Sequence, residues 1–179
     1  MFIRLSLLLL FFVFFETEKV YAKDIPIIVI SAGKSPQSKS VVGSDVTVVS
    51  ENTLSSSGEN FVGDILSENL MGMNYFQSGG YGTVSGIQLR GQPKRYSTVY
   101  LNGIKLSDPS TPSNDYYFGN LMNNSLEVVE ILKGSQSTLY GSGAIAGAVN
   151  LYSKKGKEGY NQSGNISKGS FGTENINLT

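Results

Sequence analysis

Apolar and polar positions follow several distinct patterns along the chain. Near the start, Leu5 to Phe15 is apolar throughout apart from Ser6. A bilayer-crossing helix needs about 20 apolar residues, so this run is too short to span and has the length of a signal-peptide core. Arg4 precedes it and Val20-Tyr21-Ala22 follows, which puts a signal-peptidase cut after Ala22. Further on, alternation takes over. Asp45 to Ser50 predicts a strand, and Ile87-Gln88-Leu89 predicts a shorter one with Arg90 at its end. Val128 to Lys133 predicts another, with Val129 and Ile131 on one face and Val128, Glu130 and Leu132 on the other. Val99-Tyr100-Leu101 and Ile104-Lys105-Leu106 flank Asn102-Gly103, two residues that tolerate positive φ, so a tight hairpin is expected there. Helical spacing occurs once: Ser56-x-x-Glu59 reads as a capping box ahead of Phe61, Ile65, Leu66 and Leu70, with Gly72 as the stop.

Other stretches are less periodic. Ile25 to Ala32 is a β-branched run close to the mature start, interrupted by Pro26, which cannot donate to a ladder. It reads equally as a buried strand or as an exposed extended segment suited to adding itself to a partner's sheet edge. Ser78 to Gly82 is a loop, Gln92 to Tyr96 a polar basic turn, and Gly134 to Tyr140 a turn with a short helical piece. Asp108 to Phe118 is a loop ending in three aromatics, which either fold back onto the core or offer stacking surface to a ligand. Ala144 to Leu151 is small and apolar, suited to close backbone approach. After Tyr152 the lysines at 154, 155 and 157 mark a polar junction. From Tyr160 onward a weak alternation runs around Gly169-Ser170-Phe171-Gly172, as in paired strands of a membrane barrel.

Composition narrows the chemistry. The 179 residues include 21 Gly, 10 Tyr and 9 Phe, and only 16% are charged, a balance that favours strands and turns. Net charge is zero and no Lys/Arg cluster forms, so nucleic acid is not an expected partner. Without any Cys or His, disulfides, thiolate metal sites and the commonest general base are all excluded. Gly141-Ser142-Gly143 with Gly147 lacks the strand and βαβ unit of a dinucleotide loop. Neither a serine-nucleophile elbow nor a calcium loop occurs. The Asn-x-Ser triplets at Asn123, Asn161 and Asn165 carry no weight in a Gly- and Asn-rich chain. No enzyme, cofactor or metal site is expected.

Taken in order, these pieces resemble the TonB-dependent outer-membrane receptors, from about Ile25 to Thr179. Ile27-Ile28-Val29-Ile30-Ser31-Ala32 is similar to a TonB box. Ile87 to Gly91 resembles the Arg-Gly strand of the plug, and Val99 to Leu106 the plug hairpin, with Asn102 where Asp is frequent. Val129-Glu130-Ile131-Leu132-Lys133-Gly134, Ser137-x-Leu139-Tyr140-Gly141 and Ala144 to Leu151 resemble the signature that closes the plug. Two departures stand out. Lys133 replaces an Arg, losing the planar two-pronged contact with a carboxylate, and Ser135 replaces a Pro.

The resemblance implies an α+β fold: a plug with a small mixed β-sheet and short helices, then the first strands of a transmembrane antiparallel barrel of about 22 strands. It divides the chain into a signal peptide (1–22), a TonB box and linker (23–40), a plug (41–153) and the barrel's start (154–179). It implies a receptor in the bacterial outer membrane for energised uptake of a scarce nutrient such as cobalamin or a ferric siderophore. The hairpin followed by Leu106-Ser107-Asp108-Pro109-Ser110 looks most like the cobalamin branch. Implied partners are TonB, pairing with Ile27, Ile28, Val29, Ile30 and Ser31, and the protein's own barrel. Ligand-side positions would be Tyr81, Gln92, Lys94, Arg95, Tyr96, Asp108, Tyr116 and Tyr117, and plug–barrel contacts Arg90, Glu130 and Lys133. Two strands alone cannot span lipid, so the resemblance also calls for further barrel strands. The competing reading is a secreted periplasmic binding or adhesion module that acts by strand addition, or a non-functional piece.

Overall fold

The structure, a computed structural model, describes residues 27–178 apart from 81, 114, 157, 161 and 163 and the side chains of 165 and 177. The expected signal segment, its cleavage site and Tyr81 lie outside the described residues. In chain order the elements are β1 (Ile28–Val29), β2 (Gln37–Ser38), β3 (Asp45–Ser50), α1 (Glu51–Ser56), α2 (Val62–Asn69), β4 (Met73–Gln77) and β5 (Ser85–Leu89). Then come β6 (Ser97–Leu101), β7 (Ile104–Leu106), β8 (Leu126–Lys133), α3 (Ser137–Tyr140), β9 (Gly147–Ser153), β10 (Gly164–Lys168) and β11 (Glu174–Leu178).

A five-stranded sheet in the order β3-β8-β9-β6-β7 organises the molecule. Its pairs are antiparallel except β6–β9, which run parallel, with Val99 opposite Val149. The hairpin expected at Asn102-Gly103 joins β6 to β7, and both turn residues take positive φ, 49° and 85°. That is the conformation whose twist matches two flanking strands.

Alternation along the strands gives the sheet two buried faces. On one, Val49, Val129, Ile131, Val149, Leu151 and Val99 pack against α1, α2 and the β4–β5 ribbon in the main core. On the other, Val46, Leu132 and Ala148 pack with Val29, Tyr140 and Ala144. The faces assigned to Val129, Ile131 and Leu132 from alternation are the ones observed.

The capping box at Ser56 is a correction. Ser56 ends α1, whose actual cap is Ser50, its hydroxyl accepting from the Thr53 amide. The next helix, α2, starts after Phe61 with no side-chain cap. A tertiary contact satisfies one of its free terminal amides: the Val62 amide donates to the Leu121 carbonyl at 2.9 Å.

Beyond the polar junction, β10 and β11 form an antiparallel hairpin around a 3-10 turn at Ser170–Gly172, the pairing that alternation predicted. Its apolar side chains Ile166, Phe171, Ile176 and Leu178 are exposed. No closed barrel exists among the described residues.

Candidate functional site

The segment matching the expected TonB box, residues 27–32, lies across the second face of the sheet. β1 pairs with β2, Ile28 opposite Ser38 and Val29 opposite Gln37, and the Lys39 amide donates to the Ile27 carbonyl at 2.8 Å. Val29 points inward and is fully buried, while Ile27 and Ile28 stay 52% and 51% exposed. The run is extended at Ile28–Val29 and anchored there, yet three of its large side chains, Ile27, Ile28 and Ile30, face outward.

What anchors it is Glu130 on β8. This residue is 2% exposed, and no cation pairs with it among the described residues. A buried carboxylate without a counterion is costly unless donors surround it. Here the donors are backbone amides: Ile30 N–H at 3.1 and 3.0 Å from the two carboxylate oxygens, and Ser31 N–H at 2.7 Å. Bonds to a charged acceptor contribute about 1.5–3 kcal/mol each in general. The Tyr140 hydroxyl donates to the Ser31 carbonyl at 2.6 Å. Tyr100 in turn donates to the Tyr140 carbonyl at 2.7 Å and meets its ring edge-on at 5.0 Å. Burial, reinforced by the negative charge of Glu130, pushes the Tyr140 hydroxyl up to about 12. Tyr152 is pushed up for the same two reasons. A cavity of about 250 Å³ remains beside the segment, between Ile30, Ser31 and Lys34 and the sheet residues Tyr100, Asn150 and Tyr152.

Ligand-side expectations fall on the 92–96 turn and the 108–118 loop. Two of the residues named there come together. Lys94 forms an ion pair with Asp115 at 3.1 Å and lies 4.6 Å from the Tyr117 ring centroid and 6.0 Å from that of Phe76. Its charge is neutralised inside this cluster. Arg95 stacks over Tyr96 at 5.0 Å, and Gln92 is exposed. The Tyr116 ring meets Phe118 edge-on at 5.1 Å, and burial raises its hydroxyl. Asp108 organises its own turn, accepting from the Ser110 hydroxyl at 2.6 Å and the Ser110 amide at 2.9 Å, which together lower its carboxyl. The Asp108 amide donates to the Asp115 carbonyl at 3.2 Å, closing the loop.

The residues expected at a barrel wall have partners within the chain. Arg90, at φ 51°, reaches Asp45 at 2.7 Å on the exposed end of the sheet. Lys133 donates to the Met71 carbonyl at 3.0 Å. Glu130 is held by the 27–32 segment as described above. Asp115 and Tyr140 escaped that reasoning altogether. Asp115, the lone acid beside Tyr116-Tyr117, was a signal that could have found the first. Tyr140 stood inside a quoted motif without a role.

The family model for the TonB-dependent receptor plug domain matches residues 38–148, more than half of the chain. The vitamin B12 transporter BtuB of Photobacterium profundum is 28% identical over 125 residues, covering 70% of this chain and 20% of its own length. The siderophore receptor PiuA from Acinetobacter baumannii superposes with a TM-score of 0.61 at 25% identity, over 76% of this chain and 18% of that one. The ferripyoverdine receptor of the outer membrane of Pseudomonas aeruginosa shares the fold, with a TM-score of 0.69 at 21% identity over 86% of this chain and 20% of that one. The chain spans about a fifth of the length of the curated relatives it matches. With its mixed sheet, few short helices and plug-domain match, the chain belongs to the TonB-dependent receptor plug family.

Proposed function

We propose that this chain is the plug part of an outer-membrane receptor that takes up cobalamin, or a ferric siderophore, with energy delivered through TonB. The observation that carries the proposal is the plug-domain match at 38–148 together with relatives named as vitamin B12 transporters. In this reading residues 1–22 direct export, 23–40 hold the TonB-contact segment and linker, 41–153 form the plug, and 154–179 begin the barrel. Ile27 to Ser31 leave the sheet face and pair with TonB as an added strand, a mode in which backbone bonds supply affinity. Gln92, Arg95, Tyr96, Asp108, Tyr116 and Tyr117, with Tyr81, form the ligand side, and Lys94 holds that side together from within. Arg90 and Lys133 lie toward the barrel wall. Because Lys94 is neutralised by Asp115, the loop cluster carries little net positive charge, which suits a neutral corrinoid better than an anionic ferric chelate. No enzymatic step is proposed.

The test is Ile28→Pro. Proline removes a backbone donor from the segment, so energised uptake of labelled cobalamin by cells should fall to background while binding to the same cells is kept. Uptake at the unaltered rate would remove Ile27–Ser31 from the proposed role.

A further inference from the structure

We propose that Glu130 is the positioning residue that keeps the amino-terminal segment docked, and that it does so in a conformation incompatible with strand addition. In an extended strand, successive N–H groups point to opposite sides, so one acceptor cannot take two in a row. Yet Ile30 and Ser31 both donate to the one Glu130 carboxylate, at 3.0 and 2.7 Å. The chain therefore bends at these residues, directly after β1. Any sheet that accepts residues 28–31 as a strand must first take at least one of these two amides away from Glu130.

The other contacts at the segment are of a different character. Val29 fills a buried site, but apolar burial is non-directional and leaves the backbone free. The Ser31 side chain contributes little: its hydroxyl is buried without a partner among the described residues, so Ser31 is held by its N–H and carbonyl alone. Across the sheet, Glu130 lies opposite Val48 on one side and Asn150 on the other, with Tyr100 beyond Asn150. Nothing in this row is a cation, so the segment's amides are the donors that make burial of the carboxylate tolerable. Departure of the segment uncovers Glu130 to water, which replaces those donors, so the latch is reversible.

The docked state described by this inference does not depend on the identity of the partner, and its test uses none. Amide exchange is measured on the full chain, comparing the peptide containing residues 27–32 with those containing β8 and β9. Glu130→Gln keeps the size of the side chain but removes the charge and faces an N–H₂ group toward a backbone donor. Exchange at 27–32 should accelerate by roughly tenfold or more, with β8 and β9 unchanged. Tyr140→Phe, which removes only the bond to the Ser31 carbonyl, should accelerate it less. Should Glu130→Gln loosen the sheet itself, Ser31→Pro deletes the shorter amide bond from the other side and should free 27–32 while β8 and β9 keep their protection. Unchanged exchange at 27–32 in either Glu130→Gln or Ser31→Pro, with the sheet intact, overturns the proposal. The Ile28→Pro uptake assay separately judges the partner reading, so the two can fail independently.

Discussion

At the scale of single residues, Gly147 shows what a small side chain is for. It opens β9 at φ 155°, and a Cβ there would overlap the Leu132 carbonyl oxygen and press on Leu89. Leu132 and Leu89 belong to opposite cores, so neither can give way cheaply. Gly147→Ala should destabilise the domain by about 2–4 kcal/mol, read as a lower denaturant midpoint at constant slope. A midpoint within error of the parent would contradict the close approach. The run of small residues from Ala144 had signalled such an approach in the sequence. The role of Glu130 gave no such signal. Alternation put it correctly on the face of Leu132, but its donors lie about a hundred positions upstream on backbone atoms that no side-chain pattern encodes.

Elements with local causes were legible. Asn102-Gly103 determines its turn through backbone conformation alone, and β3 and β8 announce themselves by alternating β-branched residues. Elements with tertiary causes were not. In α1 only Leu54 is buried, so no helical period exists to be seen. β4, Met-Asn-Tyr-Phe-Gln, lacks a clean alternation and is a strand because β5 pairs with it, Met73 opposite Leu89. The 92–96 turn and the 108–118 loop lie between these cases: their aromatics and lysine were visible, whereas the ion pair that joins them was not. Asp115→Asn keeps the shape of the side chain but leaves Lys94 half-buried without its counter-charge. Amide exchange in 108–118 should rise and stability should fall by about 1–2 kcal/mol, with β8 and β9 unaffected. Equal exchange in the variant and the parent would mean that the loop is ordered by its turns alone.

Across the whole molecule, one sheet carries two cores, and the second buries Tyr140, whose hydroxyl is raised by that burial. Tyr140 binds its proton more tightly in the fold, at about 12, than its ordinary value of 10.0. Its contribution to stability is therefore complete below pH 10 and is lost as the pH climbs from there toward 12. Denaturant midpoints should drop across that window by the equivalent of about 1–2 kcal/mol for Tyr140, levelling off once the folded hydroxyl itself ionises. In Tyr140→Phe the drop should shrink. A parent midpoint that stays level through the window would show that the second core admits water freely.

The order of strands in the sheet also has a consequence in time. β9 sits between β8 and β6, and β3 reaches its neighbour with Asp45 opposite Lys133. Apart from the β6–β7 hairpin, every pairing in the sheet waits for β8 or β9. Such long closures make assembly slow and late compared with a chain of local contacts. Delivered from its amino end, this polypeptide therefore cannot complete its sheet until nearly all of 45–153 has arrived, a delay that suits the export proposed above, in which the chain is threaded before it folds.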